Sequence, residues 1–350
     1  MNVTVHQRPG VYSAYEASSG AGSAGRGGVV GLVGSSDGAK KLGQVQTVTG
    51  YDKAVAAFGD GGMAELIRLA LRNGASAVAA VAVKDQAGYA AGLEALEAEE
   101  NITAVLCDST DAEVQKKLRD SVVQASEARR ERLAVLAGGA EESVDELIQR
   151  AAGLNCERVV LVAPGGVDRS GGAADGLAVA AAVAGAIAGE SDPAVPLGGA
   201  ELAGLAGLAR RYSDKDLDRL LLGGVTAVEE SGGVISVVRG VTTRTTSGGA
   251  ADGTWRELST IRIVDDVLPG LRSALRAKFR RAKNTEQSRS AIRAQVVLEL
   301  ENKLAREIIT GYDGVTVTAD REDPSRCLVD FSFTVAHGLN QIWLTAHITV

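Results

Sequence analysis

Short apolar runs and amphipathic stretches take turns along the first half of the chain. Residues 29–33, 77–83, 102–107, 133–137 and 158–163 read as buried strands, and residues 51–58, 63–73, 88–98, 111–130 and 144–152 between them read as helices. In the helix after Asp111, the apolar positions Val114, Leu118 and Val122 recur every four residues, as one helical face requires. Strands of four to seven apolar residues alternating with helices predict a mainly parallel, helix-covered sheet. An Ala-rich helix follows at 178–188 and ends before Pro193 and Pro196, which cannot continue a helical ladder. After Gly224 the period falls to two. Residues 225–230 and 234–238, joined by Ser231-Gly232-Gly233, predict a hairpin, with a third strand at 241–246.

Beyond Trp255 the pattern changes again, to helices at 263–283 and 290–310 and strands at 315–319, 327–335 and 342–350. The second helix carries Ile292, Val296, Leu300, Leu304 and Ile308 on one stripe. In the last strand Ile342, Leu344, Ala346, Ile348 and Val350 face one way, while Gln341, Trp343, Thr345, His347 and Thr349 face the other. An amphipathic strand has a face to bury and backbone edges to pair, either with its own sheet or with a neighbouring chain. The opposite end of the chain is similar: Val3 and Val5 alternate with Thr4 and His6 in a short strand pattern before Pro9 and Gly10 break it.

Two stretches can bury almost nothing. Residues 18–28 and 247–254 are made of Gly, Ala and small polar side chains and read as linkers. The expected organisation is an arm and linker at 1–28, an α/β body at 29–246, a linker at 247–254, an α+β assembly domain at 255–340 and a strand arm at 341–350. The first residues have no cationic stretch leading into an apolar run, and no run nears the roughly 18 apolar residues of a membrane span, which predicts assembly in the cytoplasm. The 350 residues include 43 Gly against 12 aromatics, half of these in the final 96. The net charge of −7 argues against a general affinity for nucleic acid or anionic membrane. Yet residues 268–311 hold ten basic and four acidic side chains. That local excess of +6 calls for a partner or a solvated face.

Catalytic signatures are scarce. Gly31 to Lys41 has the glycines of a phosphate loop but the wrong spacing, and Leu42 stands where a magnesium-holding hydroxyl is needed. The Ser23 region misses the nucleophile elbow and follows no strand. Three histidines (His6, His337, His347) and three cysteines (Cys107, Cys156, Cys327) show no metal-ligand or disulfide spacing, so the thiols read as buried and free and no cofactor is expected. The best enzymatic candidates are Asp108 and the glycine-rich 164–172, each directly after a strand, where open α/β sheets bind ligands. A cytoplasmic nucleotide- or metabolite-binding enzyme that oligomerises through its C-terminal domain is therefore the alternative to a purely structural protein.

Arg8-Pro9-Gly10-Val11-Tyr12, the following linker, the α/β middle, Val237-Val238-Arg239-Gly240-Val241-Thr242-Thr243, the Phe279 to Asn284 turn before a long helix with Leu300 and Leu304, and the terminal strand together resemble the contractile tail sheath proteins of bacteriophages and phage-tail-like particles such as R-type bacteriocins. The resemblance implies a non-enzymatic subunit that stacks in hexameric rings around an inner tube protein and meets baseplate and terminator proteins. It implies that terminal arms carrying Val3 and Val5, and Ile342, Leu344, Ala346, Ile348 and Val350, add strands to neighbouring subunits. It also gives the basic segment a partner: Lys278, Arg280, Arg281, Lys283, Arg289 and Arg293 would face acidic groups on the tube.

Overall fold

The computed structural model describes residues 27–167 and 172–348. Val3, Val5, Val350 and most of the first linker lie outside the described residues. Gly27 and Gly28, the last residues of that linker, belong to the body instead: the Gly28 amide donates to Ala188 O at 2.6 Å, and its carbonyl accepts from the Ser76 amide at 3.1 Å.

The body is built on one eight-stranded sheet in the order β2-β3-β1-β4-β5-β6-β7-β8. Its strands are β1 (Val29–Ser35), β2 (Val45–Val48), β3 (Ala77–Val83), β4 (Ile102–Cys107), β5 (Leu133–Ala137), β6 (Val159–Ala163), β7 (Val225–Ser231) and β8 (Val234–Val237). The five pairs from β3 to β7 are parallel, and β2 and β8 close the two ends antiparallel. Both faces are covered, so the inner strands are apolar on both sides. On β6, Val160 and Val162 enter one core, while Val159, Leu161 and Ala163 enter the other. The first core receives α1 (Tyr51–Phe58), α2 (Gly62–Arg72) and α6 (Leu177–Gly189); the second receives α3 (Tyr89–Glu97), α4 (Ala112–Glu127), α5 (Val144–Leu154) and α7 (Asp214–Leu222).

Local chemistry sets the ends of these helices. Asp111 caps α4 by accepting from the Glu113 and Val114 amides at 2.9 and 3.0 Å, and Ser143 with Glu146 forms a capping box on α5. The Ala and Gly of α6 serve close packing: a Cβ on Gly185 would collide with the backbone of Ala70 on α2. The third strand expected at 241–246 does not form. The hydroxyls of Thr242 and Thr243 bond Trp255 O and Cys156 O at 2.6 and 3.0 Å, holding the segment in an irregular path. The second linker is instead a tight hairpin, β9 (Thr246–Ser247) with β10 (Ala250–Ala251). Gly248 and Gly249 both take positive φ, 57° and 83°, as a two-residue hairpin turn demands.

Two long helices and a second sheet complete the chain. α8 (Leu258–Phe279) begins five residues before the expected start, because Leu258 and Ile261 enter the body core. Its later residues Ile263, Val267 and Leu271 form a separate, smaller core with Val296 and Leu300 of α9 (Glu286–Ala305). α9 ends at Ala305 rather than Thr310, since Glu307 takes φ +57°; Ile308 still reaches the same core from outside the helix. Among the described residues the sheet here has two strands, β11 (Ile309–Ala319) and β12 (Cys327–Val335).

Ion pairs fasten this unit to the body. Arg158 on the body side pairs with Asp265 of α8 through two hydrogen bonds of 2.8 and 2.9 Å, and Arg272 pairs with Glu131. Burial holds the Asp265 carboxyl above the ordinary aspartate range even with Arg158 beside it.

Candidate assembly interface

The enzymatic candidates come first, because the sheet has the right topology for one. Chain order reverses at β1, which has β3 on one side and β4 on the other, so a ligand crevice would open between the carboxyl ends of β1 and β4. Asp108 stands there. Its Oδ2 accepts from the Ser35 amide at 2.7 Å and from Ser35 Oγ at 3.3 Å, and its Oδ1 accepts from the Tyr89 hydroxyl. Burial raises the Asp108 carboxyl above its usual range despite these donors, and burial also raises the Tyr89 phenol. The constellation ties β1, β4 and α3 together with its donors turned inward. In the glycine-rich segment, the Gly166 and Val167 amides donate to Asp175 O and Gly207 O, both at 3.2 Å. Those amides are therefore engaged by the chain itself and do not form an anion cradle.

The C-terminal unit looks outward instead. Of the six basic residues singled out from sequence, three are held within the chain: Lys278 Nζ donates to Gln295 Oε1 at 2.8 Å, Arg289 to Asn284 Oδ1 at 2.9 Å and Arg293 to Val315 O at 2.8 Å. Asn284 in turn donates to Pro324 O and Arg326 O at 2.8 and 3.1 Å, clamping the α8–α9 turn to the loop between β11 and β12. Arg280, Arg281 and Lys283 stand exposed on that turn, which follows the half-buried Phe279. Among the described residues, these six thus divide into three braces and three cations without a partner.

The hairpin and the tail carry the largest anomaly. Along β12, Val329, Phe331, Phe333 and Val335 pack against the small core but are only partly buried, while Leu328, Asp330, Ser332 and Thr334 point to solvent. The Phe331 and Phe333 rings stack with centroids 6.2 Å apart. Past Val335 the chain makes no further ladder: the strand expected at 342–350 has no partner within the chain over its described residues. Its side chains are bare, Ile342 at 80%, Trp343 at 89%, Leu344 at 92% and Ile348 at 88% exposure. Ala346 is exposed as well. The root of this tail is fixed. Ala336 N donates to Ile308 O at 3.2 Å, and a Cβ on Gly338 would lie 2.7 Å from the Pro196 ring.

Sequence comparison places these parts in a known order. The model for the phage tail sheath protein central domain matches residues 82–243, and that for the phage tail sheath C-terminal domain matches residues 250–349. The chain belongs to the phage tail sheath family. A tail sheath protein of Bacillus phage SP01 is 30% identical over 258 residues, covering 69% of this chain and 43% of that relative. This sheath chain thus spans less than half the length of the curated relative it matches. Among solved structures, the sheath tail protein of Desulfitobacterium hafniense has the same fold at TM-score 0.69 and 15% identity, over 93% of this chain and all of that one. A chain of the anti-feeding prophage helical sheath in its contracted state matches at TM-score 0.71 and 16% identity, over 98% and 99% of the two chains.

The sequence reading missed four elements of this sheath fold: β2, α7 and the two strands of the β9–β10 hairpin, whose residues from Ser247 on read as a linker. The signal for α7 was present: Ser213 followed by Asp216 three positions on is a helix-start pattern, and Ser213 Oγ accepts from the Asp216 amide at 3.3 Å. β2 is four residues long and carried no comparable mark. Cys107 and Cys156 are buried as expected, whereas Cys327 is only half-buried at the start of β12.

Proposed function

We propose that this chain is a structural subunit of a contractile tail sheath that polymerises as stacked six-membered rings around an inner tube, and that its contraction drives the tube through a target envelope. One observation carries the reading: an amphipathic tail stands bare beside a sheet of two strands. Two helices packed about 8–10 Å apart, each about 10 Å wide, span roughly 18–20 Å, or about four strand spacings of 4.8 Å, where the hairpin supplies two. Strands from other subunits fit that vacancy, the tail segment Ile342, Leu344, Ala346, Ile348 and Val350 at one end and the Val3 and Val5 arm at the other. Such contacts join unlike surfaces and generate helical tubes.

The partners in this reading are further copies of the chain, the inner tube, the baseplate and the terminator, in a virion tail or a phage-tail-like particle assembled in the host cytoplasm. Arg280, Arg281 and Lys283 are the free cations for acidic groups on the tube; Lys278, Arg289 and Arg293 hold the turn that presents them. Exposed pairs are weak and salt-screened, which suits a contact that must release on contraction. Subunit packing supplies the driving energy, so neither catalysis nor a cofactor enters. Negative-stain microscopy of the purified protein tests the proposal. Hollow tubes or stacked rings are the expected result, and uniform small oligomers that bind nucleotide would replace it with the enzyme reading.

A further inference from the structure

The root of the tail leads into a cleft on the body. Gly338 packed on Pro196, with Ala336 bonded to Ile308, fixes where the tail begins. Two residues on, Asn340 and Gln341 line a cleft of about 490 Å³ together with α7 and the segment 238–241. One face of α7 is turned to this cleft. Its Leu217 and Leu221 are half-buried there, and Leu222 at the helix end is 61% exposed, so the apolar wall is unfinished. The same face carries Asp214 and Asp218, while Arg239, which pairs with Glu257, and Arg256 belong to the other walls.

The segment that follows Gln341 fits this lining. Leu217 and Leu221 are four residues apart on a helix, about 6 Å along its axis, and alternate side chains of an extended chain such as Ile342 and Leu344 are about 6.8 Å apart. An extended chain also carries unpaired amides and carbonyls along its edges. The carboxylates of Asp214 and Asp218 suit the amides, and the guanidinium groups of Arg239 and Arg256 suit the carbonyls. Ile342 and Leu344 are bare one and three residues beyond the last tail residue in the cleft, so a short tether presents them to it at high effective concentration. We propose that in the free subunit the tail rests in this cleft, with Ile342 and Leu344 against Leu217 and Leu221, and that the bare tail is its released form. Resting on the strand-exchange reading above for what the released tail does, the cleft competes with neighbouring subunits for the same apolar side chains. The chain thereby restrains its own polymerisation, because only the fraction of subunits with a free tail can be joined.

Leu222→Asp tests this at a side chain that the body core does not use. The full-length variant is expected to form tubes at a roughly tenfold lower protein concentration than the unsubstituted chain, read by light scattering and negative-stain microscopy. An unchanged threshold overturns the proposal, and a raised one overturns it by making the cleft a contact between subunits. A second measurement requires no tubes. In full-length chains carrying Cys327→Ser, Leu222→Cys and Leu344→Cys and oxidised while dilute, a disulfide within the monomer is expected, and it should arrest assembly until it is reduced. Thiols that stay free, or that bond only between copies, overturn the resting position. A chain that forms the internal bond but never makes tubes, oxidised or reduced, would support the resting position and overturn the sheath reading.

Discussion

The body and the C-terminal unit solve the same problem in opposite ways. The body closes its sheet with antiparallel strands at both ends, covers both faces with helices and buries large side chains such as Leu32, Leu161 and Ile187 completely. The C-terminal unit has a small core, a two-stranded sheet and a tail whose large apolar groups meet solvent. A region that finishes its own burial is stable alone. One that leaves it unfinished would gain stability from a neighbour that covered it, and folding would then be coupled to assembly.

Removing residues 341–350 should break the comparison most visibly: tube formation is lost outright, while thermal unfolding of the body, followed by circular dichroism, is unchanged. Within the free chain, Leu161→Ala should cost about 3 kcal/mol in denaturant titration, whereas Val329→Ala should cost under about 1 kcal/mol, because its site is only half covered before assembly. After assembly Val329→Ala should weaken tubes against dilution far more than it weakens the monomer. Equal effects in both states would contradict the division between finished and unfinished cores. Arg280→Glu with Arg281→Glu should impair assembly on an isolated tube more than self-polymerisation, read by co-sedimentation at low and high salt; equal loss in both assays would discard the tube contact.

The smallest effect concerns Asp108 and stays within the body. Its folded pKa is raised above the unfolded value, so its contribution to stability is fully present below about pH 4 and is lost as pH rises through the folded value. Asp108→Asn should therefore flatten the pH dependence of body unfolding on the alkaline side of pH 4, without altering tube assembly. A change in assembly would show that the β1–β4 crevice communicates with the C-terminal unit.

How much was legible in the sequence follows the same division. The parallel strands were readable because burial on both faces writes continuous apolar runs, and β3, β4 and β5 begin and end where the runs do. Side-chain hydrogen bonds carry no such mark, so the path of Thr242 and Thr243 read as a strand. Ile308 stayed on the helical stripe of α9 although the helix had ended, since periodicity registers which side is buried and not which backbone delivers it. The basic cluster read as six equivalent cations because charge is visible in sequence and intrachain acceptors, such as Val315 O for Arg293, are not. The tail was legible as an amphipathic stretch, and over its described residues it forms no ladder within the chain and leaves its apolar side chains exposed.

The contact between Gly338 and Pro196 bears on how a lattice of such subunits deforms. If the tail strand is held in a neighbour's sheet from Ile342 onward and its root is held on its own body at Gly338, only Leu339, Asn340 and Gln341 lie between two rigid anchorages. The four Cα steps from Gly338 to Ile342 span at most about 14 Å. Each link then behaves as a short universal joint: subunits can swivel through large angles about it but can barely separate, and a moving lattice is obliged to turn rather than stretch.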